Sequence, residues 1–181
     1  MRFSFFEFPF FEFVTAVRIA TALIFFTAAV GKMRRWSTFE GVVANYRLLP
    51  DPLNRWVAWL LPPGELLLAF ALVVGAPRAE WVASGLLCVF ATAMAINLMR
   101  GRTYIDCGCF DVSLRQTLRW PLVVRNVSLV LLLLVAARSR DDAQAWDVTT
   151  LLMGVLAGAA FFMVVQCASI LTALPSKRRT T

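Results

Sequence analysis

Apolar runs close to twenty residues long alternate with short charged segments along this chain. A helix that crosses a bilayer needs about 20 mainly apolar residues, and five stretches meet or approach that length. They are Phe13 to Gly31, Trp56 to Gly75, Trp81 to Met99, Trp120 to Ala137 and Val148 to Leu174. The third and the fifth carry no charge, and three begin at a tryptophan, whose amphipathic ring favours the membrane–water boundary. The pattern predicts an all-α polytopic transmembrane bundle of four to five spans, forming a single integral-membrane domain over residues 1–181. No internal repeat, low-complexity linker or second domain interrupts it. Pro62, Pro63 and Gly64 fall inside the second run. Proline removes backbone donors and bends a helix, so a kink is expected there. The opening MRFSFFEFPFFEF lacks a strongly basic start and places Glu7 and Glu12 ahead of the apolar run. It reads as an aromatic interfacial segment leading into an uncleaved helix rather than as a signal peptide.

Composition sharpens this picture. The chain is 60% hydrophobic and 16% charged, whereas a soluble domain is nearer half apolar and a quarter charged. The excess has to face lipid. Histidine is absent, which removes imidazole metal ligands, histidine-ligated haem and histidine general bases. The net charge of +7 would suggest nucleic acid in a soluble protein. Here the basic residues fall between apolar runs and form no nucleic-acid-binding motif, so they read as orienting charges and headgroup ligands of a lipid bilayer. With five spans, Lys32, Arg34, Arg35, Arg47, Arg55, Arg100, Arg102, Arg115, Arg119, Lys177, Arg178 and Arg179 share one face. Arg2, Arg78, Arg138 and Arg140 share the other. The positive-inside rule then puts the first face in the cytoplasm and the N-terminus outside.

Candidate chemistry concentrates in TYIDCGCFDVSLRQ, Thr103 to Gln116, a polar loop between the third and fourth runs. Cys107 and Cys109 flank Gly108. A thiolate attacks a disulfide through a mixed-disulfide intermediate, which a second nearby thiol resolves. Gly108 lets the backbone bend tightly enough to close a small, strained ring between the two. Arg100, Arg102 and Arg115 would favour thiolate, while Asp106 and Asp111 would oppose it. A structural bridge to another cysteine and two inert thiols are the alternatives. A four-cysteine metal site would need Cys88 and Cys167, which lie inside predicted helices, so no metal is expected. Cys88 reads as a small buried apolar residue. Cys167 lies in the last third of the fifth run, on the side of the loop, and could exchange with Cys107 or Cys109 if that helix packs beside them. No phosphate loop, paired catalytic carboxylates or serine nucleophile motif is present, and no cofactor is expected.

Ionisable groups inside membrane spans are costly and suggest function by default. They are Arg18, Glu65 and Arg125. Glu65 lies about nine residues in from the basic face and Arg125 about five, a depth difference of about 6 Å at 1.5 Å per residue. Glu65 is therefore expected to face the bundle interior and pair with Arg125 or Lys32, as a helix-to-helix tie or as part of a substrate site. Asn97 and Asn126 lie near the same face and are candidates for hydrogen bonds between helices.

Several of these pieces occur together: Lys32, Phe39, Tyr46-Arg47-Leu48-Leu49-Pro50, Leu61-Pro62 with Glu65, Asn97-Leu98-Met99-Arg100-Gly101-Arg102, Ile105-Asp106-Cys107-Gly108-Cys109-Phe110, and Arg125-Asn126. In this combination the chain resembles the MauE family of methylamine utilisation proteins, part of a wider group of small membrane proteins related to DoxX. The resemblance covers roughly residues 15 to 137 and leaves out the fifth run. Its most specific part is RGR-x-x-IDCGCF, and it departs from the pattern at Asp111, where the family would have glycine. It implies an inner-membrane protein needed for processing, transport or maturation of the methylamine dehydrogenase beta subunit, a small disulfide-rich periplasmic protein. It also implies a thioredoxin-like partner, MauD. Thiol–disulfide exchange at Cys107 and Cys109, with Glu65, Arg125, Lys32, Asp106, Gly108 and Cys167 in support, would serve that role. A non-enzymatic membrane scaffold or transport factor for the subunit or for MauD is the alternative. Charge counting places the cysteines on the cytoplasmic face, opposite a periplasmic substrate. Three resolutions stay open: a different span count, a loop that dips into the membrane, or cysteines that never touch the substrate.

Overall fold

The structure, a computed structural model, describes residues 7–105, 117–138 and 148–173. These form six helices and, among the described residues, no strand: α1 (Glu7–Arg34), α2 (Trp36–Tyr46), α3 (Asp51–Val73), α4 (Ala79–Met99), α5 (Trp120–Arg138) and α6 (Val148–Ala173). The five apolar runs coincide with α1, α3, α4, α5 and α6. Four of these helices are long and apolar enough to cross a membrane, namely α1, α3, α4 and α5, and α6 contributes the shorter apolar stretch Leu152–Ala168. The chain is thus built as a multi-pass membrane protein.

The apolar residues divide between the two sides of each helix. Val17, Ile24 and Phe25 of α1, Leu68 and Leu72 of α3, Ala83 and Leu87 of α4, and Leu129 and Leu133 of α5 form a continuous core. On the outer sides, Leu67, Phe70, Val82, Val89, Val124, Leu131, Leu156 and Val164 are exposed, as lipid-facing positions must be. This two-sided hydrophobicity explains why the spans show no amphipathic stripe in sequence. A second core cluster, with Ala91, Met94, Leu98, Leu122 and Val123, lies toward the end of α4 and the start of α5.

Two connections are set by glycine. Gly75, after α3, and Gly101, after α4, have φ of +69° and +73°, a left-handed conformation that glycine adopts without Cβ strain. In each the amide two residues past the helix cap reaches back, Ala76 N–H to Ala71 O at 2.8 Å and Arg102 N–H to Asn97 O at 3.0 Å. This is the Schellman pattern, which satisfies carbonyls that a helix end leaves open. At Gly75 a side chain is excluded a second time, because a Cβ would lie 2.5 Å from Arg18 Nη2.

The structure departs from the sequence expectations at two places. The polar segment after the first run is not all loop: WSTFEGVVANY folds as α2, because Phe39 and Val42, one turn apart, both bury against Ala58 of α3. Pro62 and Pro63 lie inside one helix, Asp51–Val73, each leaving one carbonyl of the preceding turn without its usual donor. Cys88 is exposed rather than buried. The inward positions of α4 are Ala83, Ser84, Leu87 and Ala91, and the helical period turns Cys88 outward.

Helix α6 lies against α1 through two small residues, Gly154 and Gly158. A Cβ on Gly154 would fall 2.5 Å from Thr15 Cγ2, and one on Gly158 would fall 2.8 Å from the Ala16 carbonyl oxygen. The spacing is GxxxG, which lets two membrane helices approach backbone to backbone.

Candidate functional site

The polar residues expected inside the bundle do converge. Lys32, in the last turn of α1, is 3% exposed, and Glu65, in the middle of α3, is fully buried. The Lys32 ammonium donates to Glu65 Oε1 in a buried ion pair. The same Nζ sits 5.4 Å from the centre of the Phe39 ring and 5.3 Å from that of Phe90, so the negative ring faces add to the attraction for the charge. Of the two partners foreseen for Glu65, the structure selects Lys32. Its second carboxylate oxygen, Oε2, is buried and accepts no hydrogen bond among the described residues. Beside the pair is a cavity of about 20 Å³, also bordered by Phe25 of α1, Phe90 of α4, and Arg125 and Asn126 of α5. That volume suffices for one water molecule. Arg125, which is half-buried, donates from Nε and Nη2 to Asn126 Oδ1 at 3.4 and 3.3 Å.

Asn97 and Asn126 are buried, but among the described residues their hydrogen bonds stay within their own helices. Asn97 Nδ2 donates to Ala93 O at 3.1 Å, one turn back on α4. A short amide side chain reaches its own preceding turn more easily than a neighbouring helix.

Toward the other end of α1 lies a second buried pair. Arg18 Nε approaches Glu80 Oε1 at 3.2 Å, and Arg18 Nη2 donates to Leu72 O at 2.9 Å. One guanidinium thereby joins α1 to both the end of α3 and the start of α4. Glu80 is 1% exposed and carried no functional signal in sequence. A carboxylate in the first turn of an apolar helix reads as a headgroup-level residue, and only the search for a partner to Arg18 would have found it.

Cys107, Cys109, Asp106 and Gly108 lie outside the described residues. The two ends of their loop are described. Ile105 and Leu118 are 5% and 1% exposed, both packed in the second core cluster, and Leu118 N–H donates to Ile105 O at 3.0 Å. The loop is therefore closed at its base, with Cys107 two residues past a buried anchor. Before that anchor, Arg102 Nη1 donates to Asn45 O of α2 at 3.4 Å. Cys167 is exposed on α6, and its distance from the loop cysteines involves residues outside the described set.

The family model for "Methylamine utilisation protein MauE" matches residues 11–139, which includes α2 to α5, most of α1 and the whole cysteine loop. The chain belongs to the MauE family. It is 45% identical over 161 residues to the methylamine utilization protein MauE of Paracoccus denitrificans, covering 88% of this chain and 87% of that protein. It is 41% identical to the MauE proteins of Paracoccus versutus and Methylorubrum extorquens, over 92% of this chain and 90% and 91% of theirs. These shares extend the likeness beyond the residues that the family model matches. No solved structure matches the chain.

Proposed function

We propose that this chain is an inner-membrane factor for maturation of the methylamine dehydrogenase beta subunit, acting by thiol–disulfide exchange at Cys107 and Cys109 together with a MauD-type thioredoxin-like protein. The observation that carries the reading is membership of a methylamine-utilisation family in a chain with two thiols one residue apart. The buried anchors Ile105 and Leu118 at the loop base support it, since a fixed base leaves less conformational freedom to lose on meeting a partner.

The chemistry balances as an exchange. A thiolate of one protein attacks a sulfur of the other's disulfide, forming a mixed disulfide and releasing one thiolate. The second thiol of the attacking pair then displaces the partner, so one disulfide is reduced to a dithiol and one dithiol is oxidised to a disulfide. The electron pair passes between this chain, the beta subunit and the thioredoxin-like partner, and their relative potentials set the direction. The Lys32–Glu65 pair ties α1 to α3, and the Lys32 ammonium also meets the Phe90 ring of α4, one of the two helices between which the loop runs.

The test replaces both loop cysteines by serine in a strain growing on methylamine. Accumulation of the beta subunit with its disulfides formed is followed by non-reducing electrophoresis. The proposal expects loss of correctly oxidised subunit, with C107S/C109S protein still present in the membrane. Unimpaired maturation would refute the exchange and favour the scaffold role. A membrane-impermeant maleimide, applied to intact cells before and after reduction, reports which face carries the pair.

A further inference from the structure

The corner where α1 ends, α2 lies and α3 begins presents three arginines outward. Arg34, Arg35 and Arg55 are all exposed, and none pairs with a described carboxylate. Arg55 stands one turn before Trp59 on the same side of α3. The Trp59 ring packs against Trp36 of α2 with centroids 4.7 Å apart. Trp36 directly follows Arg35 in the chain, so this ring pair brings the backbone that carries Arg34 and Arg35 beside the turn of α3 that carries Arg55. Trp56 and Trp59 are 68% and 53% exposed, which marks the level of the membrane boundary. Carboxylates are present too: Asp51 lies one turn before Arg55, and Glu40 one turn after Trp36. Neither engages these arginines.

We propose that this corner binds the phosphate of an anionic phospholipid, with Arg34, Arg35 and Arg55 as ligands and the Trp36–Trp59 pair packed along its acyl chains. Arginine suits phosphate because its planar fork donates two parallel hydrogen bonds. The tryptophans place those donors at headgroup depth, so the occupant is a lipid rather than a soluble anion. The bound lipid would brace α2 against α1 and α3.

The test titrates phosphatidylglycerol and phosphatidylcholine onto the detergent-purified full chain and counts bound lipid by native mass spectrometry. R35Q/R55Q is compared with R78Q/R138Q, which removes the same charge from the opposite end. The expected result is preferential retention of phosphatidylglycerol, weakened about thirtyfold in R35Q/R55Q and unchanged in R78Q/R138Q. Inorganic phosphate at millimolar concentration should fail to compete. Equal retention of the two lipids, equal loss in both variants, or full competition by inorganic phosphate would each overturn the proposal.

Discussion

Replacing Lys32 by methionine removes the ammonium while keeping an unbranched stem. It leaves the Glu65 carboxylate in a site where neither side chain reaches solvent, their exposures being 4% and 0%. A single water in the adjacent cavity offers hydrogen bonds but no charge to replace the lost partner. Breaking a buried ion pair by deleting one member costs about 3–5 kcal/mol, and loss of the contacts to Phe39 and Phe90 adds about 1 kcal/mol. Removing both charges is a different perturbation. In K32M/E65M no buried charge is stranded, and an apolar pair of similar volume is about neutral. Reversible unfolding in mixed micelles, monitored by tryptophan fluorescence, measures K32M, E65M and the double variant as a cycle. The expected result is a large loss for each single change and a double variant within about 1 kcal/mol of the parent. A K32M loss below about 1 kcal/mol, or a double variant as weak as the sum of the singles, would refute the claim that Glu65 depends on Lys32.

Other changes probe the remaining contacts. Gly75→Ala should cost about 1–3 kcal/mol, since alanine is strained at φ +69° and its Cβ meets the Arg18 guanidinium; the same micelle unfolding assay reads it. Gly158→Leu should detach α6 from α1, because a Cβ there already falls 2.8 Å from a backbone carbonyl, and limited proteolysis should then cut the α5–α6 connection faster while the other helices persist. Ile105→Ala should cost about 2–4 kcal/mol and raise the rate at which Cys107 and Cys109 react with a thiol reagent, as the loop base loosens. Cys88→Ser, on the exposed side of α4, should leave unfolding within about 0.5 kcal/mol of the parent.

The spans were legible because their signal is length, and α1, α3, α4, α5 and α6 fall where apolar runs of that length fall. The pairing of Glu65 was legible as well, since a carboxylate in the middle of a span has few cations at its depth. Helix α2 was obscured by charge: Arg34, Arg35 and Glu40 made its surroundings read as loop, and its two buried residues are too few to show a period. The role of Glu80 was hidden because its partner sits on a distant helix, and a single sequence holds no record of which helix faces which. The side on which Cys88 would lie was equally hidden, because a helix apolar all round carries no stripe to orient it. The GxxxG of α6 was visible in the sequence, but only the close approach to Thr15 and Ala16 gives it meaning.

The two buried ion pairs share one helix. Lys32 ties α1 to α3 at one end, and Arg18 ties it to the α3–α4 turn about 21 Å away along the axis. A beam pinned at two points can neither rotate nor slide. A displacement of α1 by a single residue would turn it by about 100° and break both ties together, leaving two carboxylates stranded in the bundle. A signal that must cross this bilayer cannot travel as a piston stroke of α1. Motion falls to the helix with no such pin, the glycine-seated α6.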